Sequence, residues 1–220
     1  LNYIYMAQPV SKERLPQFVE AAKTLNYAGF NATMPHKEAL LPLMDGGIDP
    51  EAQEYGSINT VAIQGGVCKG YNTDGRGLIR ALQDESFLPK GKRIVILGAG
   101  GASKAVALSL AREQAAQITI CKRSLAKAQA LCEKHPRQMM PAPFDTVTLR
   151  HVVTDCDLLV NCTSMGMHGT EGQFTDLSFL DSMPGTALVY DLIYSPRETL
   201  LLSEAKKRGL KIANGLGMLI

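Results

Sequence analysis

Arg93-Ile-Val-Ile-Leu-Gly-Ala-Gly-Gly-Ala-Ser103 is the stretch whose reading decides the fold of this chain. Ile94 to Leu97 form an unbroken aliphatic run, the mark of a strand buried on both faces. Gly98 to Gly101 make a tight turn, and the apolar residues after it recur at helical spacing. Such a strand–turn–helix lets the backbone approach a pyrophosphate, with unpaired N–H groups of the helix start behind it. Ser103 stands where G-x-G-x-x-G would place its third glycine, so a plain βα turn without a ligand is the competing reading. Downstream, the pattern predicts a helix over 101–114, a strand at 118–121 and a helix over 124–135. A short helix near 146–152, strands at 157–162 and 187–193, and a helix over 199–208 follow. Alternation of this kind means a parallel, doubly wound sheet. From Lys211 the chain reads as the start of one more helix.

Upstream of the linker Ser86 to Lys92 the pattern is mixed. Residues 3–7 read as a strand, and Ser11 as the cap of a helix reaching Leu25 through Leu15, Phe18, Val19 and Ala22. A strand at 30–33 precedes Pro35, placed for the first turn of a helix to Met44. A short helix at 50–55, a hairpin of 59–64 and 67–71 around Gly65-Gly66, and a helix over 74–84 complete the region. The fold class is therefore α/β with two domains. Residues 1–85 form a first, mixed α/β region, 86–210 a dinucleotide-binding domain of Rossmann type with a parallel sheet, and 211–220 the start of a further helix.

Composition narrows the function classes. Of 220 residues 45% are hydrophobic and 20% charged, with a net charge of +2. Interspersed charges of this size give no surface for nucleic acid or membrane. Five cysteines lack metal-ligand spacing and read as structural thiols in a reducing cytoplasm. No apolar run approaches the ~20 residues of a membrane helix. The chain opens at Leu1 without a methionine and stops at Ile220 inside an apolar run, so it is expected to be part of a longer protein.

Three motifs carry chemistry. In Gly29-Phe-Asn-Ala-Thr-Met-Pro-His-Lys37, a lysine in the first turn of a helix opposes the helix dipole, which a ligand oxygen in front of it would explain. A solvated surface lysine is the alternative, and His36 is a secondary acid–base candidate. In the second motif, Asn59-Thr60 and Tyr71-Asn-Thr-Asp74 end neighbouring short strands. Asp74 is placed to cap the next helix, and equally to share a proton-transfer site with a lysine. In the third, the second strand of the dinucleotide domain ends in Lys122, Arg123, Ser124 and Lys127. An acid would suit the ribose hydroxyls of NAD there; these cations suit a 2′-phosphate, or mark a basic helix start on the surface.

Taken together, the motifs resemble the shikimate dehydrogenases. Asn-Ala-Thr-Met-Pro-His-Lys (31–37), Ser-Ile-Asn-Thr (57–60), Tyr-Asn-Thr-Asp (71–74), Gly-Ala-Gly-Gly-Ala (98–102), Asn-Cys-Thr-Ser-Met-Gly-Met (161–167), Asp-Leu-Ile-Tyr (191–194) and Asn-Gly-Leu-Gly-Met-Leu (214–219) stand in the family's order. The resemblance implies a substrate domain over 1–85 with its N-terminal part missing, an NADP domain over 86–210, a truncated helix from 211 to 220 returning towards the substrate domain, and a cleft between the two, with reduction of 3-dehydroshikimate to shikimate on the route to chorismate and the aromatic amino acids. It puts Lys37 on the catalytic lysine and Asp74 on its partner. It puts Thr33, Asn59 and Tyr194 on substrate contacts. Gly98, Ala99, Gly100, Gly101 and Ala102 fall on the pyrophosphate loop, Lys122, Arg123, Ser124 and Lys127 on the 2′-phosphate segment, and Leu192 and Gly215 beside the nicotinamide. No metal is implied, and a homodimer is compatible with the reading. Two departures matter. The family's Asn-Arg-Thr is Lys122-Arg123-Ser124 here, and its carboxylate-binding serine pair and a glutamine would lie before Leu1 and beyond Ile220. A quinate/shikimate dehydrogenase using NAD and a non-catalytic binding homologue are the rival readings.

Overall fold

The computed structural model describes residues 3–170 and 172–219, and the chain divides into two compact units, Leu1–Thr73 and Asp74–Ile220. In the first, a single 3₁₀ turn (Lys12–Arg14) leads into α1 (Leu15–Thr24), which buries Leu15, Val19 and Ala22 at the spacing of one helical face. β1 (Gly29–Asn31) follows, then α2 (Pro50–Tyr55), whose Asp49 cap accepts the Glu51 N–H at 3.0 Å. β2 (Thr60–Gln64) and β3 (Val67–Tyr71) form the expected hairpin, and the sheet runs β1-β2-β3, antiparallel throughout. Its inward face, Val61, Ile63 and Cys68, packs on Leu15, Val19, Leu40 and Ile58.

Two expectations fail in this unit. Residues 3–7 pair with no strand among the described residues and leave Tyr3, Ile4, Tyr5 and Met6 exposed. An apolar run makes a strand only where a partner takes its backbone groups. The helix expected from Pro35 to Met44 is instead a series of turns ending in a 3₁₀ turn at Leu41–Leu43. The carbonyl of Lys37, which would accept the next helical turn, accepts the Ile58 N–H at 2.8 Å instead. Pro42 removes a further donor.

The second unit begins with α3 (Asp74–Asp84), which buries Gly75, Leu78, Ala81 and Leu82. The unit boundary therefore lies between Thr73 and Asp74, one helix earlier than the linker suggests, because α3 packs on the next helix, α4. β4 (Arg93–Leu97), α4 (Gly101–Arg112), β5 (Gln117–Lys122), α5 (Leu125–Cys132), β6 (Met139–Pro143), α6 (Thr146–Val152), β7 (Leu158–Asn161), β8 (Leu188–Asp191), α7 (Leu200–Lys207) and β9 (Lys211–Asn214) follow. The sheet order is β6-β5-β4-β7-β8-β9 and every pairing is parallel. β6 and β9 were not expected. β9 replaces the helix start read from Lys211, and only a 3₁₀ turn (Gly215–Leu219) follows it, Ile220 lying outside the described residues. Both are edge strands, short and half apolar, so neither carries the continuous aliphatic run of the central strands.

All five cysteines are free, and burial pushes the Cys121 and Cys156 thiols up to about 12 and Cys132 up to about 11. They fill core volume as neutral thiols. No helix among the described residues is long and apolar enough to cross a membrane.

Candidate active site

The sheet of the second unit starts at its centre. β4, β5 and β6 step outwards one way, and β7, β8 and β9 the other, so the direction reverses between β4 and β7. The crevice beyond the carboxyl ends of these two strands is where such sheets receive ligands. Gly98 opens it with φ +106°, and a Cβ there would stand 3.2 Å from Thr163 Cγ2 and 3.3 Å from the Cys162 carbonyl oxygen. Both demands exclude a side chain. Gly100 then caps α4, its N–H donating to Ser103 Oγ at 3.2 Å. Ser103 is fully buried, so the residue in the third-glycine position is small enough for the helix to pack and also ties down the loop.

Beside this loop lies the basic end of β5. Lys122 Nζ donates to the Ala99 carbonyl at 3.1 Å, joining the two predicted cofactor segments by one hydrogen bond. Burial lowers the Lys122 ammonium from the ordinary lysine value, and the charges of Lys127, Arg123 and Lys104 lower it further. Ser124 stands at the N-terminus of α5, and its hydroxyl caps nothing. The structure thus brings Gly98, Ala99, Gly100, Lys122, Arg123 and Lys127 into one neighbourhood and adds Lys104, which the sequence reading missed. A lysine three residues after the last loop glycine looks like an ordinary helix residue until the fold turns it towards β5.

At the other side of the crevice a buried polar network holds the strand ends. Asn161 Nδ2 donates to Asp191 Oδ1 at 3.0 Å, and the Ile193 N–H donates to the same oxygen at 3.1 Å. Thr199 Oγ1 donates to Asp191 Oδ2 at 2.6 Å. Asn161 Oδ1 accepts from the Thr163 hydroxyl at 2.7 Å and from its N–H at 3.0 Å. Burial raises the Asp191 carboxyl above its ordinary value, and the bonds from Thr199, Ile193 and Asn161 pull it partly back. This network fixes the start of the 192–194 segment. Within it, Leu192 is half-buried and its carbonyl lies directly against Gly215, where any Cβ would collide with it. The two expected nicotinamide neighbours are therefore brought together, while Tyr194 is 52% exposed. Burial raises the Cys162 thiol, just beyond β7, and the charges of Asp191 and of Asp74, at the start of α3, add to the rise.

The first unit carries a second polar cluster. Asn31 Nδ2 donates to Thr60 Oγ1 at 3.0 Å, which donates to Asn59 Oδ1 at 2.9 Å. Asn59 Nδ2 donates to Thr73 Oγ1 at 3.0 Å, and beneath them Asn72 donates to the Ser57 hydroxyl at 2.9 Å. Thr33 is exposed just beyond the end of β1, and Lys37 is half-buried in the turns that follow. With no helix at 35–44, the dipole argument for Lys37 falls away; its position rests on the bond from Ile58 to its carbonyl. His36 is accounted for structurally. Its Nε2 lies 2.9 Å from the Val10 carbonyl, which can only accept, so the ring donates there, while Nδ1 is buried with no hydrogen-bond partner among the described residues.

Two family profiles fit the chain: "Shikimate dehydrogenase substrate binding domain" over residues 1–61 and "Shikimate / quinate 5-dehydrogenase" over residues 82–178. The protein named shikimate dehydrogenase (NADP(+)) of Geobacter metallireducens is 44% identical, across 100% of this chain and 78% of its own. Its namesake in Alkaliphilus metalliredigens is 41% identical with the same coverage. The chain belongs to the shikimate dehydrogenase family. The crystal structure of shikimate 5-dehydrogenase from Listeria monocytogenes in complex with shikimate and NAD superposes with a TM-score of 0.86 at 31% identity, over 99% of this chain and 78% of that one. The family's two-domain α/β architecture, with its Rossmann domain, is thus that of this chain. Two of the motifs that carried the resemblance gain a physical role here: Asn161 and Asp191, each ending a buried strand, are the poles of the network described above. A polar residue closing an aliphatic strand was the available signal.

Proposed function

We propose that this protein catalyses the reversible, NADP-dependent reduction of 3-dehydroshikimate to shikimate. The single observation that carries the cofactor reading is the hydrogen bond from Lys122 to Ala99, which sets a cluster of cations beside a glycine loop at the switch point of the sheet. A 2′-phosphate fits that cluster, and no acid stands at 122–124 for the ribose hydroxyls of NAD. The turn at Gly98 and Gly100 and the N-terminus of α4 suit the pyrophosphate, and the close backbone approach of Leu192 and Gly215 suits the nicotinamide. When bound, NADPH supplies the hydride.

The chain's own residues do the rest. Lys37 is the acid–base group: it holds a proton for the oxygen that becomes the hydroxyl, and takes it back in the reverse direction. Asp74 is its partner and orients a neighbouring hydroxyl of the ring. Thr33, Asn59 and Tyr194 bind the remaining substituents. Asn59 is well suited to this, since its amide is locked on both sides by Thr60 and Thr73 and needs no reorganisation on binding. We assign the protein to the cytoplasm, and a homodimer is compatible with this reading. The test is absorbance of reduced nicotinamide with shikimate or quinate against NADP or NAD. Shikimate with NADP should give the highest kcat/KM. Turnover confined to quinate and NAD would refute the reading, and no turnover with any pair would leave a binding protein.

A further inference from the structure

The segment around Tyr194 is fastened residue by residue, with Tyr194 itself left out. The Leu192 N–H donates to the Asn161 carbonyl at 3.0 Å, and the Gly215 N–H donates to the Ile193 carbonyl at 3.2 Å. The Ile193 N–H reaches Asp191 Oδ1 at 3.1 Å, and Asn214 Nδ2 donates to the Arg197 carbonyl at 2.8 Å. Tyr194 makes no hydrogen bond among the described residues and stands half exposed. The residue after it is held from a different loop. The His168 N–H donates to the Ser195 carbonyl at 3.1 Å, and His168 Nδ1 lies 3.4 Å from the Ser195 hydroxyl. The loop carrying His168 follows β7 and is closed on itself. In it the Gly166 N–H donates to the Gly172 carbonyl at 2.8 Å, and the Thr170 hydroxyl donates to the Ser164 carbonyl at 2.8 Å. His168 therefore grips Ser195 from a braced support.

We propose that His168 is a positioning residue for the reaction, fixing the C-terminal side of Tyr194 as Asp191 fixes its N-terminal side. This rests on the reading that Tyr194 contacts the substrate. An exposed side chain on a free loop samples many backbone orientations, and binding must then order it. Holding both flanking residues, one from the end of β8 and one from the loop after β7, removes that freedom beforehand and leaves the phenol hydroxyl open to a ligand. Asp191 does this from the core, where its loss also costs stability. His168 and Ser195 are both exposed, so their contact can be removed without opening the core. His168 touches no reacting atom in this scheme and acts through Ser195 on Tyr194 alone. The ring contact is long and the main-chain bond survives substitution of the side chain. The effect therefore falls at the low end for a hydrogen bond, about threefold in KM for shikimate.

The experiment is steady-state kinetics of shikimate oxidation by NADP⁺, with the melting temperature of each variant as the control for folding. Tyr194→Ala alone should raise KM for shikimate about tenfold or more. His168→Ala and Ser195→Ala should each raise it about threefold and the double variant no further, with kcat and KM for NADP⁺ unchanged. His168→Asn should restore the wild-type value, because an amide placed where Nδ1 stands can pair with the Ser195 hydroxyl as donor or acceptor. In the Tyr194→Ala background His168→Ala should add nothing, since no ring is left to orient. A wild-type KM in His168→Ala overturns the inference. So does a threefold effect that persists in the Tyr194→Ala background, or an equal rise in KM for shikimate and NADP⁺. A wild-type KM in Tyr194→Ala overturns the substrate reading of Tyr194 and the inference with it, and that failure is told apart because it is read without any change at His168. Ser195→Ala removes the same contact from the other side and decides the matter if His168→Ala fails to fold.

Discussion

Replacing Asp191 by alanine tests the energetics of the crevice most directly. The substitution leaves the Ile193 N–H and Asn161 Nδ2, at 3.1 and 3.0 Å from Asp191 Oδ1, without an acceptor in a fully buried site. A stranded buried donor costs about 1–3 kcal/mol, so the pair gives about 2–6 kcal/mol. Relief of the carboxylate's own burial offsets part of this, and the expected loss is about 3 kcal/mol. Thr199 adds little, because its hydroxyl also accepts the Leu202 N–H and can turn. Asparagine keeps Oδ1 for both donors and turns its amide towards Thr199, so Asp191→Asn should cost at most about 1 kcal/mol at pH 7. The pH dependence carries a sign. Burial raises the folded carboxyl above its ordinary 3.8, so the native state binds the proton more tightly than the unfolded state. Native stability from this group therefore rises as pH falls from 7 into the window just above 3.8, a gain that Asp191→Asn lacks. Urea unfolding followed by circular dichroism at pH 7 and pH 5 measures all of these quantities. An alanine variant within 1 kcal/mol of the wild type, or an asparagine variant as damaged as the alanine one, would refute the argument.

Four further outcomes are expected. Lys37→Ala should lower kcat by roughly 10²–10⁴-fold with a much smaller change in KM for shikimate; a parallel loss in both would make Lys37 a binding residue only. Asp74→Asn, which keeps a side-chain oxygen and removes the charge, should give a folded protein with little turnover, and near-normal kcat would reduce Asp74 to a helix-start residue. Arg123→Ala should raise KM for NADP strongly and for NAD little, in steady-state kinetics with each cofactor. Gly215→Ala should abolish or severely weaken cofactor binding in calorimetry, because its methyl would collide with the Leu192 carbonyl; wild-type affinity would show that the segment can move aside at little cost.

What could be read from the chain beforehand follows a physical divide. Strands buried on both faces, such as β4 and β7, announce themselves as aliphatic runs, and helices such as α3 announce their bounds by cap and period. The edge strands β6 and β9 do not, because half of each faces away from the core and their pairing depends on a neighbour distant in sequence. The helix expected at 35–44 fails for the same kind of reason: the carbonyl of Lys37 is claimed by Ile58, twenty-one positions on. The glycine loop and basic cluster were legible because backbone approach and charge are local properties. Lys104, Asn161 and Asp191 were not assigned roles, since each acquires its meaning only from a partner on another strand or helix.

The strand order described above also sets a timetable for synthesis. β4, β5 and β6 lie within residues 93–143 and can assemble as soon as that stretch has left the ribosome, but β7 ends only at Asn161. At about 5–20 residues per second, β4 waits roughly 3–13 s between its own completion and that of the strand that covers its second edge. During that interval the most aliphatic strand of the protein presents an open row of N–H and C=O groups, the kind of edge that recruits strands from other nascent chains. A translational pause within residues 144–157 would lengthen that exposure, whereas one after residue 161 would leave the edge already closed.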